Sequence, residues 1–267
     1  MTLLIMTGFG RNAMNLIERV KNLRLHGLLK YWEELRDEPL LAKLIDYEER
    51  ERGERSLKSR QVSARLGTFK PMCEYDWTWP KKINRGQIED LFSLKFLSEK
   101  ENVIFMGPHG IGKTMTMKNL AYQAVVAGHT VRFVTASEML NDLSSQDGST
   151  ALNRRMKFYA SPSLLAIDEI GYLSYSTRQA DLLFEIVSRR YEQKSILLST
   201  NLAFHQWNQA FGVTASVVAL LDRLVHKAEI VNIEGDSWRT KESLERLESR
   251  KNTRESRRNK KACPPRS

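Results

Sequence analysis

The chain has 267 residues, 41% hydrophobic and 28% charged, enough for one sizeable core plus an appendage. Forty-two Lys and Arg against 32 Asp and Glu leave a net charge of +10, which favours a polyanionic partner, either nucleic acid or an anionic membrane surface. Two distant cysteines, Cys73 and Cys263, five scattered histidines and the lack of a long apolar run exclude a disulfide scaffold, a His/Cys metal framework and a membrane span, and the expected location is a reducing cytoplasm.

Taken in chain order, Met1–Met6 is apolar but short and lacks a basic start, so no signal peptide is expected, and Met14 serves equally well as a start. From there to about residue 65 the spacing predicts helices. Leu16, Val20 and Leu23 share a face; Leu28, Trp32 and Leu35 repeat it, and so do Leu40, Leu41, Leu44 and Ile45. Asp46–Arg50, Glu48–Arg52 and Glu51–Arg55 are acid-before-base pairs that support an exposed helix, which Gly53 weakens. Arg55, Lys58, Arg60 and Arg65 then tilt the balance to basic, as either a solvated face or a DNA-contacting one. Residues 1–70 are therefore expected to be a helical N-terminal domain that binds DNA or a partner. Residues 71–86, with Trp77, Trp79, Pro80, Lys81 and Lys82, are expected to be an extended linker.

Beyond the linker, short apolar runs at Val103–Met106, Val131–Val134, Leu164–Ile167, Ile196–Leu198 and Ile230–Ile233 alternate with helical stretches. That alternation predicts an α/β domain with a parallel five-stranded sheet over 87–245. Residues 246–267 are rich in basic residues and are expected to be a disordered tail.

Gly107-Pro108-His109-Gly110-Ile111-Gly112-Lys113-Thr114 fits G-x-x-x-x-G-K-[ST] in full, after a strand and before a helix that begins at Met115. Glycines let backbone N–H groups turn inward on a phosphate, and the helix N-terminus adds its dipole. Lys113 is expected to neutralise the β- and γ-phosphates of ATP, and Thr114 to offer its hydroxyl to Mg²⁺. His109 sits at a free position of the motif. The strand Leu164–Ile167 ends in Asp168-Glu169, where Asp168 is expected to hold Mg²⁺ and Glu169 to polarise the attacking water. Ser195–Thr200 is a strand that ends on Asn201, whose amide can bond the γ-phosphate or the water. One further strand separates the first two motifs, a layout that resembles the additional-strand P-loop NTPases.

The chain over roughly 14–245 resembles the IstB family, the helper ATPases of IS21-type transposons, which are similar to the DnaC helicase loader and the DnaA initiator within the AAA+ superfamily. The resemblance is carried by Gly107–Thr114, Leu164–Leu173 (LLAIDEIGYL), Ser188–Tyr191 (SRRY), Ser199–Leu202 (STNL), Leu220–His226 (LLDRLVH) and Gly235–Arg239 (GDSWR), with the charged stretch EERERGERSLKSRQ before them. It implies that Arg223 is an arginine finger reaching a neighbour's ATP, and that Arg239 is a second arginine which either senses ATP or contacts a partner. Arg189 and Arg190 are either interface residues or the basic end of a helix. Ser137–Ala160 occupies the place of an extra helical insert, where Arg154, Arg155 and Lys157 beside Phe158 and Tyr159 form either a DNA-facing surface or an amphipathic core helix. The resemblance implies a DNA-dependent ATPase, with ATP and Mg²⁺ as cofactors, that forms a homo-oligomer with shared active sites. Its partners would be double-stranded DNA and a transposase, with no membrane role. The rival expectation is a DnaC-like helicase loader.

Overall fold

The computed structural model describes residues 15–172, 174–212, 215–243 and 246–247. It separates into two compact units that meet at Ser59/Arg60. The expected opening segment before residue 15 and the basic tail, apart from Arg246 and Leu247, lie outside the described residues. No helix among the described residues is long and apolar enough to cross a membrane.

In the first unit, α1 (Leu16–Asn22), α2 (His26–Lys30) and α3 (Trp32–Leu35) precede α4 (Leu41–Ala64), which runs across the unit boundary. Val20, Leu23, Leu41 and Ile45 form its core, with Leu28, Trp32 and Leu35 half-buried against it. Leu40 and Leu44, expected on the same face, are exposed. Of the expected ion pairs, Glu48–Arg52 forms at 2.5 Å. Asp46 instead joins Glu49 on the Arg19 guanidinium, because a tertiary partner with two carboxylates outcompetes a helical neighbour.

The second unit adds α5 (Arg85–Leu91), α6 (Lys95–Ser98), β1 (Asn102–Met106), α7 (Lys113–Val126), β2 (Val131–Thr135), α8 (Ala136–Ser144), α9 (Ser149–Ala160) and β3 (Leu164–Ile170). It continues with α10 (Thr177–Arg190), β4 (Ser195–Thr200), α11 (Trp207–Phe211), α12 (Ala215–His226) and β5 (Ala228–Asn232). The five strands are parallel in the order β2-β3-β4-β1-β5. The central strands β1, β3 and β4 are buried nearly throughout, as expected of a parallel sheet covered on both faces. On one face, Ile104, Ile167 and Leu198 pack with Leu143, Ile186 and Leu220 from α8, α10 and α12.

The stretch 71–86, expected as a linker, is folded onto this second unit. Met72–Glu74 forms a 3-10 turn and Tyr75 is buried. The Trp79 indole N–H donates to the Asp236 carbonyl at 2.8 Å, and Lys82 and Glu234 form an antiparallel bridge.

Arg190, at the end of α10, is fully buried. Its guanidinium donates to the carbonyls of Tyr159, Ala160, Pro162, Ser163 and Ser195, tying the end of α9 to the start of β4. That burial corrects the interface option for this residue: Arg190 is an internal tie. Burial lowers its pKa to about 9, while the carbonyl acceptors favour the charged form. Arg189 lies outside, on Glu185 and Asn153. Arg190→Met should cost about 3 kcal/mol or more, because buried carbonyls lose their donor. Arg189→Ala should cost less than about 1 kcal/mol as an exposed pair. Urea unfolding of the two variants checks this, and equal losses would contradict the assigned roles.

Candidate active site

The loop 107–112 joins β1 to α7 at the strands' C-terminal edge. Gly107 has no room for a side chain, since a Cβ there would lie 2.1 Å from the Ile233 carbonyl oxygen. Gly112 adopts φ +94° against the Tyr75 ring, a conformation and a contact that favour glycine. Lys113 is only 6% exposed, and its ammonium donates to the loop carbonyls of Gly107 at 2.8 Å and Pro108 at 2.7 Å. Burial pushes its pKa down to about 8, partly opposed by Asp168 and Glu169, while Arg239 lowers it further.

β3 carries the acid pair. Its register against β4 shifts between Ile167 and Ile170, and within that break Glu169 takes φ +63°. A non-glycine residue there is held at a cost of roughly 1–3 kcal/mol by its surroundings. The holder is Ser199 of β4. Its hydroxyl accepts from the Glu169 backbone N–H at 2.9 Å and donates to Asp168 Oδ1. One buried hydroxyl therefore orients the 3%-exposed Asp168 carboxylate and fixes the turn that carries Glu169. The next residue but one, Asn201, lies against His109, with its Nδ2 3.4 Å from His109 Nε2. The His109 ring stands edge-on to Tyr172 at 4.3 Å between centroids. Asn201 Oδ1 is buried without a hydrogen-bond partner among the described residues.

A second layer clasps the loop. The Tyr75 hydroxyl donates to the Ile111 carbonyl at 2.9 Å, and burial, with Asp76 nearby, raises its pKa to about 12. After β5, the Trp238 backbone N–H donates to the Gly110 carbonyl at 2.8 Å. Trp79 and Trp238 meet edge-on at 5.6 Å, with the Lys241 ammonium over both rings. Tyr75, Trp79, Ile111, Met115 and Trp238 line a cavity of about 90 Å³ beside the loop. Its aromatic walls suit one face of a planar base. The 238–243 stretch is helical, and its Arg239 interacts electrostatically with Lys113 and Tyr172.

Other expected residues lie elsewhere. Arg223, in the last turn of α12, donates to the Ser188 hydroxyl and lies 4.7 Å from the Phe184 ring. The next carbonyl, that of Leu224, accepts from the Asn102 side chain at the start of β1. Arg223 thus sits at the strand-start edge, and β1 alone separates that edge from the loop by roughly 13 Å. In α9, Arg155 is drawn to Asp142 at 2.7 Å, where the buried Tyr159 hydroxyl also donates, so both belong to the fold. Arg154 and Lys157 are exposed.

Spacing identified Lys113, Thr114, Asp168, Glu169 and Asn201, and the sheet brings their segments to one edge. It missed Ser199, Tyr75, Trp79 and Trp238. The density of aromatic residues in 71–86 was the one available signal for the clasp. A phosphate chain with Mg²⁺ fits these residues: the buried Lys113 cation suits phosphate oxygens, and the Thr114 hydroxyl, the Asp168 carboxylate and the orphaned Asn201 amide oxygen are acceptors suited to a cation or its water. No group of three His, Cys, Asp or Glu that could hold a metal occurs among the described residues.

The family profile described as IstB-like ATP binding protein matches residues 18–246. Among similar proteins, the insertion sequence IS21 putative ATP-binding protein of Pseudomonas aeruginosa is 35% identical over 221 residues, covering 83% of each chain. The corresponding IS5376 protein of Geobacillus stearothermophilus is 33% identical over 211 residues, covering 79% of this chain and 84% of that one. The crystal structure of DnaI shares the fold, with a TM-score of 0.50 at 18% identity over 64% of this chain and 90% of that one.

Ser199→Ala should leave nucleotide affinity largely intact and slow turnover about 10–100-fold, the usual effect of removing a group that orients a metal-side carboxylate. Steady-state rates and binding calorimetry check the split, and unchanged turnover would release Ser199 from this role. Lys113 gives a pH dependence. With its unliganded pKa near 8, the neutral amine gains population above that pH, while bound phosphates favour the ammonium. Nucleotide binding at pH 9 should therefore take up protons, and affinity should fall as pH rises through 8. Calorimetry in buffers of different ionisation enthalpy reads the uptake directly; none at pH 9 would place the lysine elsewhere.

Proposed function

The chain belongs to the IstB-like ATP-binding protein family, and from that premise we propose that it is a Mg²⁺-dependent ATPase that assembles on duplex DNA and recruits or stimulates the transposase of its insertion sequence. The observation that carries this reading is the split arrangement of the catalytic groups. Lys113, Asp168, Glu169 and Asn201 come from one sheet edge, whereas Arg223 sits at the other. An arginine so placed cannot serve its own loop, but it can complete the site of a second copy.

In this reading Gly107–Gly112 wraps the phosphates with backbone N–H groups, and Lys113 exchanges its loop carbonyls for β- and γ-phosphate oxygens. Thr114 and Asp168 would hold Mg²⁺, which when bound supplies charge neutralisation on the phosphate oxygens. Glu169, aimed by its backbone turn, takes the proton of the attacking water. Asn201 fixes that water or the γ-phosphate, with His109 beside it. Arg239, close to Lys113, acts in the same subunit and reports the triphosphate. The base enters the Tyr75–Trp79–Trp238 cavity. Arg223 of a neighbouring copy stabilises the charge that develops on transfer.

The net charge of +10 and the exposed Arg154 and Lys157 support DNA as the assembling partner. The insertion-sequence relatives favour transposition over helicase loading, which would use the same ATPase residues. The expected result is ATP turnover that rises when duplex DNA is added, with Glu169→Gln binding ATP, hydrolysing it slowly and accumulating on DNA. ATPase rates with and without duplex, together with co-sedimentation, test this. Turnover indifferent to DNA, or Glu169→Gln hydrolysing at the parental rate, would overturn the reading.

A further inference from the structure

A second cavity, of about 490 Å³, rides over the outer strand β2 and shares no lining residue with the phosphate loop. Among the described strands β2 pairs only with β3. Four basic side chains line the cavity: Arg65 from the turn after α4, Lys118 from α7, Arg132 from β2 and Arg155 from α9. The two acids on its wall are committed. Glu138 caps its own helix by accepting from the Thr135 backbone N–H, and Asp142 holds Arg155 and the Tyr159 hydroxyl. Arg65, Lys118 and Arg132 make no ion pair among the described residues. The Arg132 Nε is buried without an acceptor, and its guanidinium lies 4.2 Å from the Phe158 ring, which also carries Arg155 at 4.4 Å. Burial first, then Arg65 and Arg155, hold the Arg132 pKa below the usual guanidinium range. Lys118 spans the opposite wall, over the Phe133 ring at 5.1 Å and beside Gly67.

Like charges gathered round a concavity, with a buried donor left unbonded, cost free energy unless an anion joins them. The volume is that of a ligand pocket. Donors arriving from three elements suit a group with three or four acceptor oxygens better than the two of a carboxylate. We propose that the cavity over β2 is a second anion site, in which Arg65, Lys118 and Arg132 bind a phosphate group, either of a nucleic-acid backbone or of a small free phosphate. The site requires no nucleotide in the phosphate loop and stands apart from the ATPase reading.

The test uses the full chain, with Arg132→Gln and Lys118→Gln as separate variants; Lys118 lies on a helix surface, so its variant carries the test if Arg132→Gln does not fold. One arm titrates inorganic phosphate by calorimetry. The other measures duplex oligonucleotide binding by anisotropy over a salt series, and basal ATP turnover without DNA is recorded for each variant. Phosphate affinity is expected to fall at least tenfold with basal turnover unchanged. If the source is a DNA backbone, duplex affinity falls too and the log–log salt slope shrinks by about 0.9 for each contact removed. If duplex binding is untouched while phosphate binding is lost, the ligand is a free phosphate. The proposal is overturned if both arms match the parent protein, or if basal turnover falls in step with phosphate affinity, which would locate the lost phosphate in the loop after Gly107.

Discussion

The position of β4 between β1 and β3 is the constraint on which the rest of the site depends. β4 pairs with the strand that feeds the phosphate loop on one side and with the strand that ends in Asp168-Glu169 on the other. From that place the Thr200 carbonyl accepts from the Gly107 N–H at 3.2 Å, and the Ser199 hydroxyl holds both acids. Asn201 follows as the chain leaves the strand. Three motifs that lie far apart in the chain thus meet because one strand touches both of the others. A hydroxyl at Ser199 is small enough to sit inside a buried sheet and polar enough to stabilise a left-handed Glu169. The register break between β3 and β4 is the structural counterpart of that bond.

Around this centre the protein places charge where it is costly and compensates it locally. Lys113 is buried with carbonyl partners that phosphate oxygens can replace, so the loop's cation is held ready while its proton is loosened. Arg190 is buried with carbonyl partners that nothing replaces, and it acts as a fixed tie. The aromatic clasp of Tyr75, Trp79 and Trp238 joins the segment before the sheet to the segment after it, across the loop.

The sequence made legible whatever is written in local spacing. The loop motif, the Asp-Glu strand end and the five apolar runs each lie within a dozen residues; the runs form the five strands and the loop motif follows the first of them, although the last run begins two residues later than β5 itself. What stayed hidden depends on a partner distant in the chain. Asp46 looked committed to Arg50 until Arg19 was folded against it. Arg155 reads from the sequence as either a DNA-facing cation or part of an amphipathic core helix, and its pairing with Asp142 depends on a residue 13 positions away. Arg190 reads from the sequence as either an interface residue or the basic end of a helix because its acceptors are backbone carbonyls, which leave no trace in residue types. Trp79 suggested a linker because its neighbours are Pro80 and two lysines, while the residues it packs on lie more than 150 positions away.

The proposed assembly depends on Arg223 completing the site of a second copy. Arg223→Ala keeps an intact loop, and Lys113→Ala keeps an intact arginine. Each alone should be nearly inactive, since trans arginines in other P-loop enzymes are worth about 10³–10⁵ in rate. Mixed on duplex DNA, with co-sedimentation showing both variants in one complex, they should regain a substantial fraction of parental ATP turnover at the interfaces that pair one intact loop with one intact arginine. Both variants present in the same complex with no recovery of turnover would contradict the account.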